Sequence, residues 1–463
     1  MDATTADQLA PTLAGLRATW QAGKPEYAQR RDDLTRLREA LADGLDDMAA
    51  TVDADFGGRP RAESLLADGM AVLTAIDHLR RHLRRWMRPR RVATGWRLWP
   101  ARAQLRHVPL GVVGVMSPWN YPVSLALVPL ATAIAAGNHV YLKPSEHTPR
   151  TSTWLQALLA RTFPATRVAV AQGDAELAAA FSALPFDHLL FTGSTEVGRK
   201  VMAAAAANLT PVTLELGGKS PALICPDYPL ERAAARLAQG KWFNAGQTCI
   251  APDYVLVDAA RLDELVGALH HVTQQRYGHG NGADFARIIN DARHRRLTTL
   301  LDDARGSGLR IETLLALQGE RVVAPTVVVD PGPDSALMRE EIFGPILPLI
   351  GYRTLDEAIA FINARPRPLA LYPFGNDRRM LERILHDTVA GGVTVNNTLL
   401  HYTADGLPFG GVGTSGMGAY HGRAGFDAMS KALPVLWQPL LNPAGLLRPP
   451  YARVERLLRM LVR

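Results

Sequence analysis

Between Gly111 and Ala207, short apolar runs alternate with helical stretches, and this alternation limits the possible folds more than any other feature. GVVGVM is a strand, and Val123–Ala136 is a helix stopped by Gly137. His139–Leu142 is the next strand, with a helix from about Thr151. Val168–Ala171 is strand, Glu176–Ala183 helix, Asp187–Phe191 strand and Thr195–Ala207 helix. Strands this short and this apolar belong in a parallel sheet covered by helices on both faces. Such sheets bind ligands at the carboxyl ends of their strands. Those ends carry PWNYP, KPSE and FTGST.

A second α/β unit begins near Pro211. Val212–Leu216 and Pro221–Ile224 are strands about a Gly217-Gly218 turn, Leu230–Trp242 is a helix, Tyr254–Val257 a strand and Arg261–Tyr277 a helix. The unit continues through Glu340–Pro345 to a strand near Gly392–Asn396. Residues 1–90 read as helices, with leucines at 34, 37, 41 and 45 and a break over Asp53–Gly58. Trp96–Val108 alternates large apolar with basic residues, as a strand pair or extended arm with one dry face would.

A chain of 463 residues is long enough for two or three domains. Its two cysteines exclude a disulfide framework and fit a reducing, cytoplasmic setting. The acidic N-terminus has no secretory pattern, and no apolar run reaches membrane-spanning length. Much of the net charge of +7 lies in LRRHLRRWMRPRR. That stretch reads as a helix with a solvated basic face and with Leu79, Leu83 and Trp86 turned inward. No nucleic-acid motif accompanies it, and no zinc or other metal spacing occurs.

Cys249 is the first candidate for chemistry. It follows Gly246, Gln247 and Thr248, in a turn whose free amides could hold an oxyanion after the thiolate attacks. Cys225 lies in an apolar run and reads as a buried thiol. Glu215 closes the apolar strand VTLEL, where desolvation would suit a general base, although a strand-end carboxylate turned to water has the same sequence. Asn120 stands in a Pro-bounded turn and can donate its amide to an oxyanion or simply form the turn. Gly193, Ser194, Thr195, Glu196, Val197 and Gly198 join a strand end to a helix start, an anion site fit for pyrophosphate. Lys143 and Glu146 could hold the hydroxyls of a ribose. A G-x-G-x-x-G pattern at Gly411–Gly416 is rejected as a dinucleotide fingerprint, because a Pro-Phe-Gly loop and not a buried strand precedes it. None of the 13 histidines is given a catalytic role.

SPWNYP (117–122), KPSE (143–146), FTGST (191–195), LELGGKSP (214–221), GQTC (246–249), EEIFGP (340–345) and PFGG (408–411) stand in the order found in the aldehyde dehydrogenase superfamily, which the chain resembles over nearly its whole length. NAGQTCIAPDYVL and GVGTSGMGAYHG look most like its class 3 branch, and the full pattern looks closest to coniferyl aldehyde dehydrogenases. The resemblance implies an aldehyde dehydrogenase-like α/β fold: a Rossmann-type cofactor domain, an α/β catalytic domain and a β-arm for oligomerisation. It implies an NAD(P)-binding domain at residues 1–95 and 110–211, a catalytic domain at 212–407, and an oligomerisation or bridging arm with a C-terminal tail at 96–109 and 408–463.

It also implies roles. Cys249 attacks the aldehyde carbon while the Asn120 amide and the Cys249 N–H hold the oxyanion. Hydride passes to the nicotinamide, and Glu215 activates the water that hydrolyses the thioester. Glu341 holds the nicotinamide ribose and Phe343 packs beside it, while Tyr121 and Phe409 line the aldehyde tunnel. The implied cofactor is NAD, with NADP also accepted. The implied partners are a small aldehyde, aromatic such as coniferyl aldehyde, and a second copy of the chain in a homodimer, with no nucleic acid and no membrane span. A medium- or long-chain aliphatic aldehyde is the alternative substrate. A coenzyme-A-acylating enzyme and a catalytically silent scaffold are the remaining alternatives. One departure is Asn397, where relatives often carry Asp, and only a local change is expected from it. The basic tail PPYARVERLLRMLVR is expected to be a surface helix packed on the dimer.

Overall fold

The computed structural model describes residues 3–95, 98–279, 282–440, 449 and 451–461. Its strands, in chain order, begin with β1 (Arg90–Val92), β2 (Arg102–Pro109), β3 (Val112–Met116), β4 (His139–Lys143) and β5 (Val168–Val170). β6 (His188–Thr192), β7 (Val212–Glu215), β8 (Pro221–Ile224), β9 (Tyr254–Asp258) and β10 (Arg310–Thr313) follow. The last are β11 (Thr326–Val329), β12 (Ile346–Tyr352), β13 (Ala370–Phe374), β14 (Gly392–Val393), β15 (Gly416–Met417) and β16 (Ser430–Trp437).

They form three sheets. The first has the order β15-β7-β6-β3-β4-β5 and is parallel except for β15, which runs antiparallel to β7. Its strands β3, β4 and β6 are buried at every residue, as strands covered on both faces must be. On one face lies the helix Ser124–Ala136, all of it buried. On the other, Leu9, Leu13 and Leu16 of the first helix pack with Phe181 and Phe186. The second sheet, β10-β11-β12-β9-β8-β13-β14, is antiparallel only at β10–β11. The third, β1-β2-β16, is a small antiparallel sheet whose β16 exposes Leu433, Leu436 and Trp437.

Most elements fall where the patterning puts them, and the helix after Trp119 ends at a left-handed Gly137. Three readings need correction. The helix Leu45–Phe56 runs through Asp53, and the break is the Gly57-Gly58 pair, both with positive φ. Leu79, Leu83 and Trp86 do face inward, but their helix ends at Met87, and Arg90 and Arg91 are strand. Pairing with β2 overrides the helical texture there, because Arg90 stands opposite Leu105 and Arg91 opposite Gln104. The strand near Gly392–Asn396 is only Gly392–Val393. In the arm, Leu98–Ala101 are not a strand, no residue of β2 is fully buried, and Trp96 and Arg97 lie outside the described residues. The tail forms a helix, Ala452–Leu461, and residues 441–448, 450, 462 and 463 lie outside the described residues. Among the described residues, no helix is long and apolar enough to cross a membrane.

Candidate active site

At the carboxyl ends of β6 and β7 a cavity of about 730 Å³ is lined by Cys249, Glu215, Tyr121, Phe409, Thr248 and Phe243, among others. The turn that presents Cys249 is unusual backbone. After the helix Leu230–Trp242, three residues in a row are left-handed: Asn244 (φ 52°), Ala245 (φ 49°) and Gly246 (φ 72°). For a residue with a Cβ this costs roughly 1–2 kcal/mol, so neighbours must hold it. Glu63 Oε2 accepts from the Asn244 N–H at 3.0 Å. The Gln247 side chain donates to the carbonyls of Asn244 and Arg287 and accepts from the Ile289 N–H, each at 3.0 Å. Gly246 has a second reason to lack a side chain, because a Cβ there would strike the Gly344 carbonyl. The turn is therefore seated on the EEIFGP loop.

Burial pushes the Cys249 thiol above its ordinary value, and the carboxyls of Glu341 and Glu215 add to the rise. The amides of Cys249 and Ile250 act the other way, as N–H groups directed at the sulfur would. Glu215 is 2% exposed, and neither of its oxygens has a hydrogen-bond partner. Burial alone raises its pKa well above the ordinary carboxylate value. Of the two sequence readings of Glu215, the strand-end carboxylate turned to water does not hold. Asn120 is buried behind this cavity, where its Nδ2 donates to the Gln247 carbonyl at 3.1 Å, two residues before Cys249. That uses one of its two N–H bonds. Tyr121 lines the cavity, its hydroxyl bonded to that of Thr248. Phe409 stacks on His421 with centroids 5.1 Å apart and meets Tyr402 edge-on at 4.9 Å.

Lys143, Glu146 and the Gly193–Gly198 turn lie outside this cavity, on adjacent carboxyl ends of the same sheet. Met116, Lys143 and Phe191 are in register across β3, β4 and β6. Buried Lys143 donates to Glu146 Oε2 at 3.0 Å. Burial alone would raise the Glu146 carboxyl, but backbone hydrogen bonding and Lys143 outweigh it and hold the group low, hence anionic. Ser194 caps the helix Thr195–Ala206, accepting from the Val197 N–H at 3.4 Å. Glu196 pairs with Lys200 at 2.8 Å on the exposed face of the helix. Gly198 admits Leu216, whose side chain a Cβ would strike. The donor set fits a dinucleotide, with helix amides for phosphate and a lysine–carboxylate pair for ribose. Beside the turn, Thr195 Oγ1 donates to the Thr414 carbonyl at 3.1 Å. The rejected glycine pattern thus leads into β15 and is not preceded by a strand.

Glu341 reaches the same region from the second sheet's side. Its carboxyl crowds Gly217, where a Cβ would overlap it, and the nearby Gly218 N–H favours its anionic form. Burial and the Asp253 charge lift its pKa to about 8. Phe343 (φ 52°) sets its ring edge-on to Trp119 at 5.4 Å. Asn397 lines the cavity and accepts from the Thr398 N–H at 2.8 Å, and Cys225 is fully buried as expected. Sequence reasoning missed Arg59, Glu63, Asp68 and Asn244, all buried and all bonded to the site's turns. The one available signal was Arg-Pro after Gly-Gly, a charged residue in a rigid break between helices.

Residues 4–433 match the family model described as "Aldehyde dehydrogenase family". The chain belongs to this family. A Pseudomonas aeruginosa protein named "Probable coniferyl aldehyde dehydrogenase" is 48% identical over 449 residues, covering 96% of this chain and 94% of that one. "Coniferyl aldehyde dehydrogenase" of Pseudomonas sp. (strain HR199) is 43% identical over 456 residues, with 96% and 94% covered. Among solved structures, the "Substrate bound state of Staphylococcus Aureus AldH" superposes with a TM-score of 0.93 at 35% identity, over 99% of this chain and 100% of that one. This aldehyde dehydrogenase oxidises an aldehyde to the acid with NAD(P). The expected α/β fold is thereby borne out.

Proposed function

We propose that the dehydrogenase oxidises a conjugated aromatic aldehyde of the coniferyl type with NAD, through covalent chemistry on Cys249. One observation carries the reading: a single cavity holds the Cys249 thiol, the unpartnered Glu215 carboxyl and the rings of Tyr121 and Phe409. The Cys249 thiol gives its proton to water as its sulfur adds to the aldehyde carbon, and the carbonyl oxygen becomes an oxyanion held by the Cys249 N–H and the second N–H of Asn120. NAD(P), when bound along Lys143, Glu146, the Gly193–Gly198 turn, Glu341 and Phe343, supplies the hydride acceptor. With that acceptor in place the oxyanion would re-form its C=O bond as the C–H bond breaks and its hydrogen leaves with the electron pair, and a thioester would remain on Cys249. Glu215 takes a proton from water as its oxygen attacks that carbon, the acid leaves, and the thiol is restored. The anionic Glu146 favours a ribose 2′-hydroxyl over a 2′-phosphate, hence NAD.

The same reading assigns residues 1–95 and 110–211 to cofactor binding, 212–407 to catalysis, and 96–109 with 408–463 to bridging. The exposed Leu433, Leu436 and Trp437 of β16 would then meet a second copy, and sedimentation at the monomer mass would exclude this. Two free cysteines fit a reducing cytoplasm. A long aliphatic aldehyde is the second reading, favoured by the exposed apolar residues Leu66, Met70 and Leu400 on the cavity wall. The experiment is oxidation of coniferyl aldehyde and of decanal with NAD, with and without coenzyme A. A free acid formed fastest from coniferyl aldehyde supports the proposal. Faster decanal oxidation favours the aliphatic reading, an acyl-coenzyme-A product the acylating one, and no reduced cofactor at all a silent scaffold.

A further inference from the structure

One short segment, Gly57 to Met70, reaches both turns of the site. Arg59 is 2% exposed and its guanidinium donates to the Asn120 carbonyl at 3.1 Å. It pairs with the fully buried Asp68 at 3.2 Å and lies between two rings, 5.0 Å from Phe56 and 4.9 Å from Tyr121. Asp68 sits in the π-helix Leu65–Met70, and its Oδ1 accepts the N–H groups of Val123 and Ser124 at 3.0 and 2.9 Å. These amides directly follow the Asn120-Tyr121-Pro122 turn. From the same segment, Glu63 holds the Asn244 N–H at 3.0 Å, and Asn244 Nδ2 donates to the Asn120 carbonyl at 3.0 Å. Arg59 and Asn244 therefore share one acceptor, the carbonyl of the residue whose side chain faces the Cys249 turn.

An ion pair removed from water is expensive unless its geometry serves something else. Here both members are bonded to backbone on either side of one turn, which fixes its peptide planes. π-Helical turns inside α-helices are frequent at functional sites, and this one places Asp68 inward under the turn while Leu66 and Met70 face the cavity. We propose that Arg59, paired with Asp68, is a positioning residue that sets the Asn120 amide against the Cys249 turn. Arg59 does not line the cavity and acts through Asn120. The inference rests on Asn120 as oxyanion donor.

The test is a double-mutant cycle in the intact chain, using Arg59→Met combined with Asp68→Asn so that Asp68 is not left as a buried, unpaired charge; Glu63, which Arg59 also favours as the anion, can take up a proton, since burial already lifts its pKa to about 7. Asn keeps an acceptor for the Val123 and Ser124 amides. The variant is expected to bind NAD and melt cooperatively. Its kcat for coniferyl aldehyde is expected to fall about 10- to 100-fold, the scale of a misplaced oxyanion donor, with KM changed less than about threefold. In an Asn120→Ala background the same pair of changes is expected to lower kcat by less than about twofold. Losses that multiply would overturn the proposal, as would a variant that keeps at least half of kcat. Should Arg59→Met fail to fold, Arg59→Lys runs the same cycle, since lysine keeps the charge but not the planar fork. An Asn120→Ala single variant with unchanged kcat removes the reading beneath the proposal, whereas a crippled Asn120→Ala beside an unaffected Arg59 variant refutes the proposal alone.

Discussion

Replacing Glu215 by Gln separates the two halves of the proposed reaction. The side chain has no hydrogen-bond partner and no ion pair, so exchanging an oxygen for NH₂ orphans nothing else and keeps the shape of the cavity wall. A positioned general base contributes about 10²–10⁴-fold, roughly 2.7–5.4 kcal/mol at 1.36 kcal/mol per tenfold. All of that loss should fall on thioester hydrolysis. Rapid mixing of enzyme, aldehyde and NAD should therefore give a burst of reduced cofactor approaching one per Cys249, followed by a steady rate depressed 10²–10⁴-fold. The parent's hydrolysis should quicken as pH rises through the elevated pKa of Glu215, and this limb should vanish in the variant. Stability moves the other way. A carboxyl whose pKa is raised by folding loses stability as pH climbs from the ordinary value through the raised one. The variant should gain thermal stability relative to the parent at pH 8 and show no such gain at pH 4. Equal loss of burst and steady rate would refute the assignment and place Glu215 before hydride transfer.

Cys249→Ala should abolish turnover yet leave NAD affinity, read by fluorescence titration, within about threefold, because the proposed cofactor contacts lie on other strand ends; residual turnover above a few per cent would point to another nucleophile. Glu146→Gln should narrow the NAD-to-NADP ratio of kcat/KM by about fivefold or more, from roughly 1 kcal/mol of like-charge repulsion removed, and an unchanged ratio would put this carboxylate away from the ribose. Phe409→Leu and Tyr121→Leu should each lower the coniferyl-to-decanal ratio of kcat/KM by about two- to tenfold, since ring contacts add roughly 0.5–1.5 kcal/mol beyond area burial. A ratio that does not move in either variant would remove the aromatic argument.

The parts of the site legible in the sequence were those that local chemistry signals. Glu215 stands at the end of an apolar strand, Cys249 in a glycine turn and Ser194 at a helix start, and each signal spans only a few residues. The same holds for the buried strands β3, β4 and β6, whose continuous apolar runs need no partner to be recognised. What was illegible is what distant pairing decides. Arg90–Val92 is a strand only because β2 lies alongside it. The bonds from Arg59 to Asn120 and from Glu63 to Asn244 cross 61 and 181 positions of chain, and no periodicity encodes them. The left-handed Ala245 is likewise invisible, because alanine carries no preference for that conformation and the surrounding bonds impose it.

The strand β15 has a consequence for how the molecule comes into being. Gly416 lies opposite Glu215 and Met417 opposite Leu214, closing the edge of the first sheet at the residue proposed as base. Every strand of the second sheet lies between those partners in the chain. On the ribosome, β7 would thus emerge with a bare edge and wait for the second sheet to be synthesised before its last neighbour arrived. Through that interval the nascent chain would present unpaired N–H and C=O groups to any passing strand. Chain ends lost to early termination before Gly416 would leave the same edge open beside Glu215, turning an incomplete enzyme into a seed for association.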